Sequence, residues 1–241
     1  MRGTTQEGGM VRGSRRMSRL PAGGPRRLAR VRAALRDERS GRVVFVSHCL
    51  LNQNTRYPGG AFCAGAVVEA IEPLLRDGVG ICQMPCPERV VWGGVGKRHV
   101  VRFWARPGAR NVAERGLVPF LGYTRLRYRT LARRVAREIA DHRANGIETV
   151  AIVGVGGSPS CGVVTTADMA VALEKVVACP IDRLTRELVN GAIDSATRSG
   201  RGIFADELAG ALRRRGIDVP FVEHDLAAGS ASGDVSGLVE R

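Results

Sequence analysis

Short apolar, β-branched runs alternate along this chain with segments of helical spacing. Val43-Val44-Phe45-Val46-Ser47 is the first such run and reads as a buried parallel strand. Ala61–Arg76 repeats apolar residues at Ala64, Val67, Val68, Ile71, Leu74 and Leu75, and stops at Asp77-Gly78, as an amphipathic helix does. Val79–Gln83 and Glu148–Gly154 are two further strands. Between them, residues 85–123 hold both tryptophans among prolines and glycines. They read as irregular chain with at most a short strand at His99–Trp104, a length more typical of a functional lid than of a plain connection. Thr124–Asn145 is a basic amphipathic helix closed by Gly146. Ile181–Ser199 is helical, Arg201–Phe204 a brief strand or turn, Asp206–Arg215 a helix, and Asp218–Glu223 a last strand. Strands alternating with helices imply an α/β three-layer sandwich with a small, mainly parallel sheet, Rossmann-like in class.

Charge divides the chain. Of the formal +14, residues 1–42 contribute +9 through 12 Arg against Glu7, Asp37 and Glu38, leaving +5 for the other 199 residues. The organisation expected is a basic, disordered leader over residues 1–40 with a possible helix at Leu28–Arg39, an α/β domain over 41–226, and a flexible Gly/Ser-rich tail over 227–241. The basic excess sits in the leader, and aromatics are 5% of the chain. Nucleic acid is therefore not the expected partner of the main domain. No apolar run reaches the roughly 20 residues of a membrane span, and the basic start lacks the apolar stretch of a secretory signal. A cytoplasmic setting follows, in which six cysteines do not imply disulfides.

Three of those cysteines hold equivalent places. Cys49, Cys86 and Cys161 each lie just past the carboxyl end of an expected strand, and in an open parallel sheet those ends share the edge where ligands bind. Gathered thiolates at such an edge suit an iron–sulfur cluster. Zinc is the alternative, using Cys82 with Cys86, although Cys82 falls within a strand. With three protein ligands, a 4Fe–4S cluster keeps one iron open. Glu88, two residues beyond Cys86, is the candidate general base, with Ser158 as a proton shuttle or substrate contact and His48 as a proton donor. Asn52, Asn54 and Ser160 are candidates for reading a substrate's polar edge, and Arg56 for a phosphate.

The segments Ser47-x-Cys49-Leu50-Leu51…Arg56-Tyr57-x-Gly59-Gly60, Cys86-Pro87-Glu88…Gly93-Gly94 and Ser158-Pro159-Ser160-Cys161-Gly162 resemble the signature of the thiouracil desulfurase family, formerly a domain of unknown function. Gly202-Ile203-Phe204-Ala205…Glu223 looks like that family's closing helix and strand. The resemblance implies a three-cysteine 4Fe–4S cluster whose open iron takes the sulfur of a thiouracil-type base or nucleotide, with hydrolysis assisted by an acidic residue and a serine. This chain departs from the pattern at Thr55, where the family has a cysteine. It also has His48 at a usually small position, no lysine before Ser158, and a longer, more helical stretch over Val163–Ser199. A different reading is a non-catalytic metal module, zinc or a four-cysteine cluster completed by Cys82 or Cys63, with the basic leader contacting RNA.

Overall fold

The computed structural model describes residues 24–104, 109–228 and 230–232. They fall into two units that part between Arg39 and Ser40. In the first, helix α1 spans Gly24–Ala34, starting four residues before the expected Leu28 and ending short of Arg39. The rest of the leader reading, over residues 1–23, lies outside the described residues.

In the second unit the strands are β1 (Arg42–Val46), β2 (Gly80–Gln83), β3 (Glu148–Val155) and β6 (Phe221–Asp225), all parallel. Their spatial order is β2-β1-β3-β6, closed at the edge by an antiparallel β7 (Ser230–Ser232). The chain thus leaves β1 for β2 on one side and returns to β3 on the other, a topological switch point between β1 and β3 where the loops diverge and a crevice opens.

Alternation along the strands sorts side chains between two cores. Phe45 and Ile152 face one side, where α6 (Ala109–Ala144) and α9 (Ile203–Arg213) pack through Tyr128, Ala132, Ile139, Leu208 and Leu212. Val44, Val46, Ala151 and Val153 face the other, against Ile71 and Leu74 of α3 (Val68–Arg76). The fold is the expected three-layer α/β sandwich. Burying about 25 cal/mol per Å² of apolar surface on both faces makes these strands continuous hydrophobic runs rather than alternating ones.

Several elements differ from the sequence reading. The helix expected from Ala61 begins at Val68, because residues 59–67 are pinned as a loop: buried Gln53 accepts from the Phe62 N–H (3.0 Å) and Val67 N–H bonds Leu50 O (2.8 Å). The expected strand at His99–Trp104 is helix α5 (Arg98–Trp104), and the described residues within 85–123 are largely helical, with α4 at Pro87–Val91 and α6 beginning fifteen residues before Thr124. Pro119 is carried inside α6, so it does not mark the break that it suggests in sequence. Residues 165–199 form a hairpin, β4 (Thr165–Ala167) with β5 (Thr197–Ser199), enclosing α7 (Met169–Val177) and α8 (Arg186–Asp194). The turn expected at Arg201–Phe204 opens α9. Within the expected tail, Ser230–Ser232 pair with β6, and residues 229 and 233–241 lie outside the described residues.

Candidate functional site

A cavity of about 510 Å³ opens at the carboxyl edge of the sheet, over the switch point. Cys49, Cys86 and Cys161 all line it, together with Glu88, Lys97, Ser158 and Ser160. Each cysteine is delivered differently. Ser47, just past β1, places its N–H on Val153 O (2.9 Å), and Cys49 follows in the single turn His48–Leu51 (α2). Cys86 caps α4, its Sγ accepting from Arg89 N–H at 3.4 Å. Cys161 sits in a tight turn after β3 whose Ser158 Oγ accepts from the N–H of Cys161 (3.0 Å).

That last turn is held from two sides. The first N–H groups of α9 donate into it, from Phe204 and Ala205 to Ser160 O at 3.0 and 3.1 Å. The approach is so close that a Cβ on Gly202 would stand 2.5 Å from the Ser160 carbonyl carbon. From the other side, the buried Glu223 carboxylate on β6 accepts the N–H groups of Val163, Val164 and Thr165 at 2.7, 2.7 and 3.0 Å, and Thr165 Oγ1 donates to it at 2.7 Å.

Burial pushes all three thiols above the ordinary cysteine range, and nearby negative charge adds to the effect, from Glu88 on Cys86, from Cys86 on Cys49, and from both Cys49 and Cys86 on Cys161. Among the described residues, no three His, Cys, Asp or Glu side chains stand close enough to clasp a single metal ion. A polynuclear cluster makes a different demand, because each iron takes its own thiolate and the ligands stand further apart. The donor set fits that demand in kind: three thiols on three loops around one cavity.

Two buried hydroxyls also lack partners, one on the cavity wall and one in the adjoining core. Ser47 Oγ makes no hydrogen bond, yet lies close enough to Cys161 to lower its thiol's pKa. Tyr128 Oη is fully buried and equally unpartnered, and its pKa is driven up first by burial and then by the charges of Glu88, Cys161 and Cys86. Ser47 lines the cavity, and an unpaired buried donor near a thiol is a group that a sulfide-bearing cluster would satisfy.

A polar network runs along the wall. Ser158 Oγ and Ser160 Oγ are 3.2 Å apart, and Ser160 Oγ donates to Glu88 Oε1 at 2.8 Å. Lys97 Nζ stands 3.6 Å from Glu88 Oε2. Lys97 is a cavity-lining residue that the sequence pattern did not single out. It is 3% exposed, donates to Thr55 O (2.6 Å) and to Cys86 Sγ (3.5 Å), and sits at φ 55° beside Gly96 at φ 73°. A non-glycine residue in the left-handed region is a strained backbone, retained where the side chain is needed. The available signal was that only two of the chain's 37 basic residues are lysines, and this one directly follows Gly93-Gly94-Val95-Gly96.

The remaining candidates separate. His48 lines the cavity, and burial, with Arg89 and Lys97 nearby, lowers its pKa, favouring the neutral ring. Asn52 and Asn54 are outside the lining, and Asn52 Oδ1 accepts from the Asn54 N–H (3.1 Å) and side-chain amide (3.0 Å) in a local turn. Arg56 lines the cavity but donates to Gly60 O and packs over the rings of Tyr57 (5.6 Å) and Phe62 (5.5 Å). Cys82 lies away from the cavity, its sulfur 3.9 Å from His142 Nε2 on α6, and Cys63 is exposed.

Fold and site together define a doubly wound α/β domain with a thiol-lined cavity at its switch point. No protein-family model matches the chain, and no solved structure matches it. It is similar to the uncharacterized protein MJ0003 of Methanocaldococcus jannaschii, with 44% identity over 52 residues, 22% of this chain and 33% of that protein. The match therefore spans about a third of that relative's length.

Proposed function

We propose that this protein holds a 4Fe–4S cluster on Cys49, Cys86 and Cys161 and hydrolytically removes sulfur from a small thiocarbonyl compound, as the resemblance to thiouracil desulfurases implies. One observation carries the reading: three cysteines from loops far apart in sequence line a single cavity at the switch point of the sheet. Once bound there, the cluster supplies a Lewis-acidic iron with no protein ligand. Overall, water replaces sulfur on carbon and hydrogen sulfide leaves, with no change of oxidation state.

The chain's own groups suit the proton traffic. Glu88 Oε1, bonded to Ser160 Oγ, is placed to take a proton from water entering the cavity. Lys97 holds the carboxylate's other oxygen and keeps its orientation fixed. Ser160 Oγ connects Glu88 to Ser158 Oγ, giving a short relay along the wall beside Cys161. Ser158 has a second task, since its Oγ also caps the Cys161 turn. The neutral form of His48 makes it an acceptor as readily as a donor.

No described helix is long and apolar enough to cross a membrane, and three free thiols in one cavity suit a reducing, cytoplasmic compartment. The test is anaerobic reconstitution with iron and sulfide, followed by a sulfide-release assay on 2-thiouracil. Release that depends on reconstitution supports the reading. A fully loaded protein that frees no sulfide from any thiocarbonyl compound overturns it.

A further inference from the structure

Beyond its sulfur-lined end the cavity of about 510 Å³ has walls of a definite character. Val101 of α5, Met169, Leu173 and Val176 of α7, and Val189 and Ile193 of α8 face it. Most of these come from residues 165–199, the hairpin with its two enclosed helices. That segment is fastened over the cavity, with Tyr57 Oη donating to Asn190 Oδ1 (2.8 Å), Asn190 Nδ2 to Gly59 O (3.3 Å) and Arg186 to Ala61 O (2.9 Å). Val176, Val189 and Ala192 form a small core of their own, with Tyr57 and Ile193 packed against it.

Charge points the same way. Four carboxylates line the cavity (Glu88, Asp194, Glu223 and Asp225), against two permanent cations. Both cations are engaged, Arg56 with Gly60 O between two aromatic rings and Lys97 with Thr55 O, Cys86 and Glu88. A phosphate entering here meets more carboxylates than cations, though Glu223 already accepts three N–H groups and a hydroxyl, and the two cations are held by Gly60 O, Thr55 O and Glu88.

Building on the function proposed above, we infer that the substrate is an uncharged thiocarbonyl compound with an apolar body, not a nucleotide. The thiocarbonyl points to the cysteines, and the body rests between α5, α7 and α8.

The experiment measures affinity by isothermal titration of the full chain, before and after reconstitution, with four probes: 2-thiouracil, 6-benzyl-2-thiouracil, 2-thiouridine and 2-thiouridine 5′-monophosphate. The benzyl compound should bind about tenfold or more tightly than 2-thiouracil, because its ring leaves water for an apolar wall. The monophosphate should bind about tenfold more weakly than its nucleoside. Ile193→Lys, which adds a cation to that wall, should shrink both differences, and the wild-type series decides the matter even where this variant folds poorly. A monophosphate that binds as tightly as the nucleoside, or a benzyl group that adds nothing, overturns the inference. Sulfide release, measured separately on the same samples, keeps the two claims apart. Affinity preferences without sulfide would sink the desulfurase reading alone, and sulfide without preferences would sink this one alone.

Discussion

Lys97 Nζ stands 3.5 Å from Cys86 Sγ and reaches it from a backbone position that a non-glycine residue rarely adopts. The same ammonium touches Glu88 and the Thr55 carbonyl, so one buried charge ties its own turn to the Cys86–Glu88 segment and to the Thr55 turn. Removing one member of a buried charged set leaves the others unpaired in a poorly solvated place. Lys97→Met should therefore cost about 3 kcal/mol in urea unfolding. Lys97→Arg, which keeps the charge, should cost clearly less. Equal losses for the two would show that volume rather than charge matters at this position.

Glu88→Gln keeps the side chain's size and one acceptor oxygen but removes the proton-accepting carboxylate. Ser160 Oγ can still donate to it, so the Cys86 loop should stand and iron content should match the wild type. Sulfide release from 2-thiouracil should fall roughly hundredfold. A variant that loses its iron would assign Glu88 to loop structure, and one with normal turnover would move water activation elsewhere, His48 first.

The metal-free protein should lose stability as alkalinity increases. The thiols of Cys49, Cys86 and Cys161 have folded-state pKa values above the usual cysteine range, because burial disfavours the thiolate. Above roughly pH 8 the unfolded chain releases these protons while the native state retains them, so the unfolding free energy declines with rising pH. Urea midpoints at about pH 7 and about pH 9.5 measure the slope. The triple variant with serine at all three positions should show a shallower slope. An unchanged slope would mean that these thiols titrate normally.

Much of the frame was legible in the residues themselves. The β-branched runs at Val43–Val46 and Glu148–Gly154 are strands because both of their faces are buried, which makes them uninterrupted apolar segments. The placement of Cys49, Cys86 and Cys161 past strand ends followed from the same pattern. Residues 98–104 misled, since the β-branched pair Val100-Val101 and the aromatics suggest a strand, whereas Val100 packs helically in the core containing Trp92 and Tyr128. Lys97 could not be placed at all, because its role depends on a left-handed turn and on Thr55, forty-two residues earlier. The apolar wall was equally hidden. It arises only when α7 and α8 fold back over the sheet edge, a tertiary arrangement fixed by bonds such as Tyr57 to Asn190.

The central claim is that Cys49, Cys86 and Cys161 together hold one cluster. The most direct measurement is iron and acid-labile sulfide per chain after anaerobic reconstitution, for the wild type and for Cys→Ser variants at all six cysteines. The account predicts about four irons and four sulfides in the wild type. It predicts the same in the Cys63, Cys82 and Cys179 variants, and loss of the cluster in each of the Cys49, Cys86 and Cys161 variants. A Cys161→Ser protein that keeps its full complement of iron, or a Cys82→Ser protein that loses it, would contradict the account.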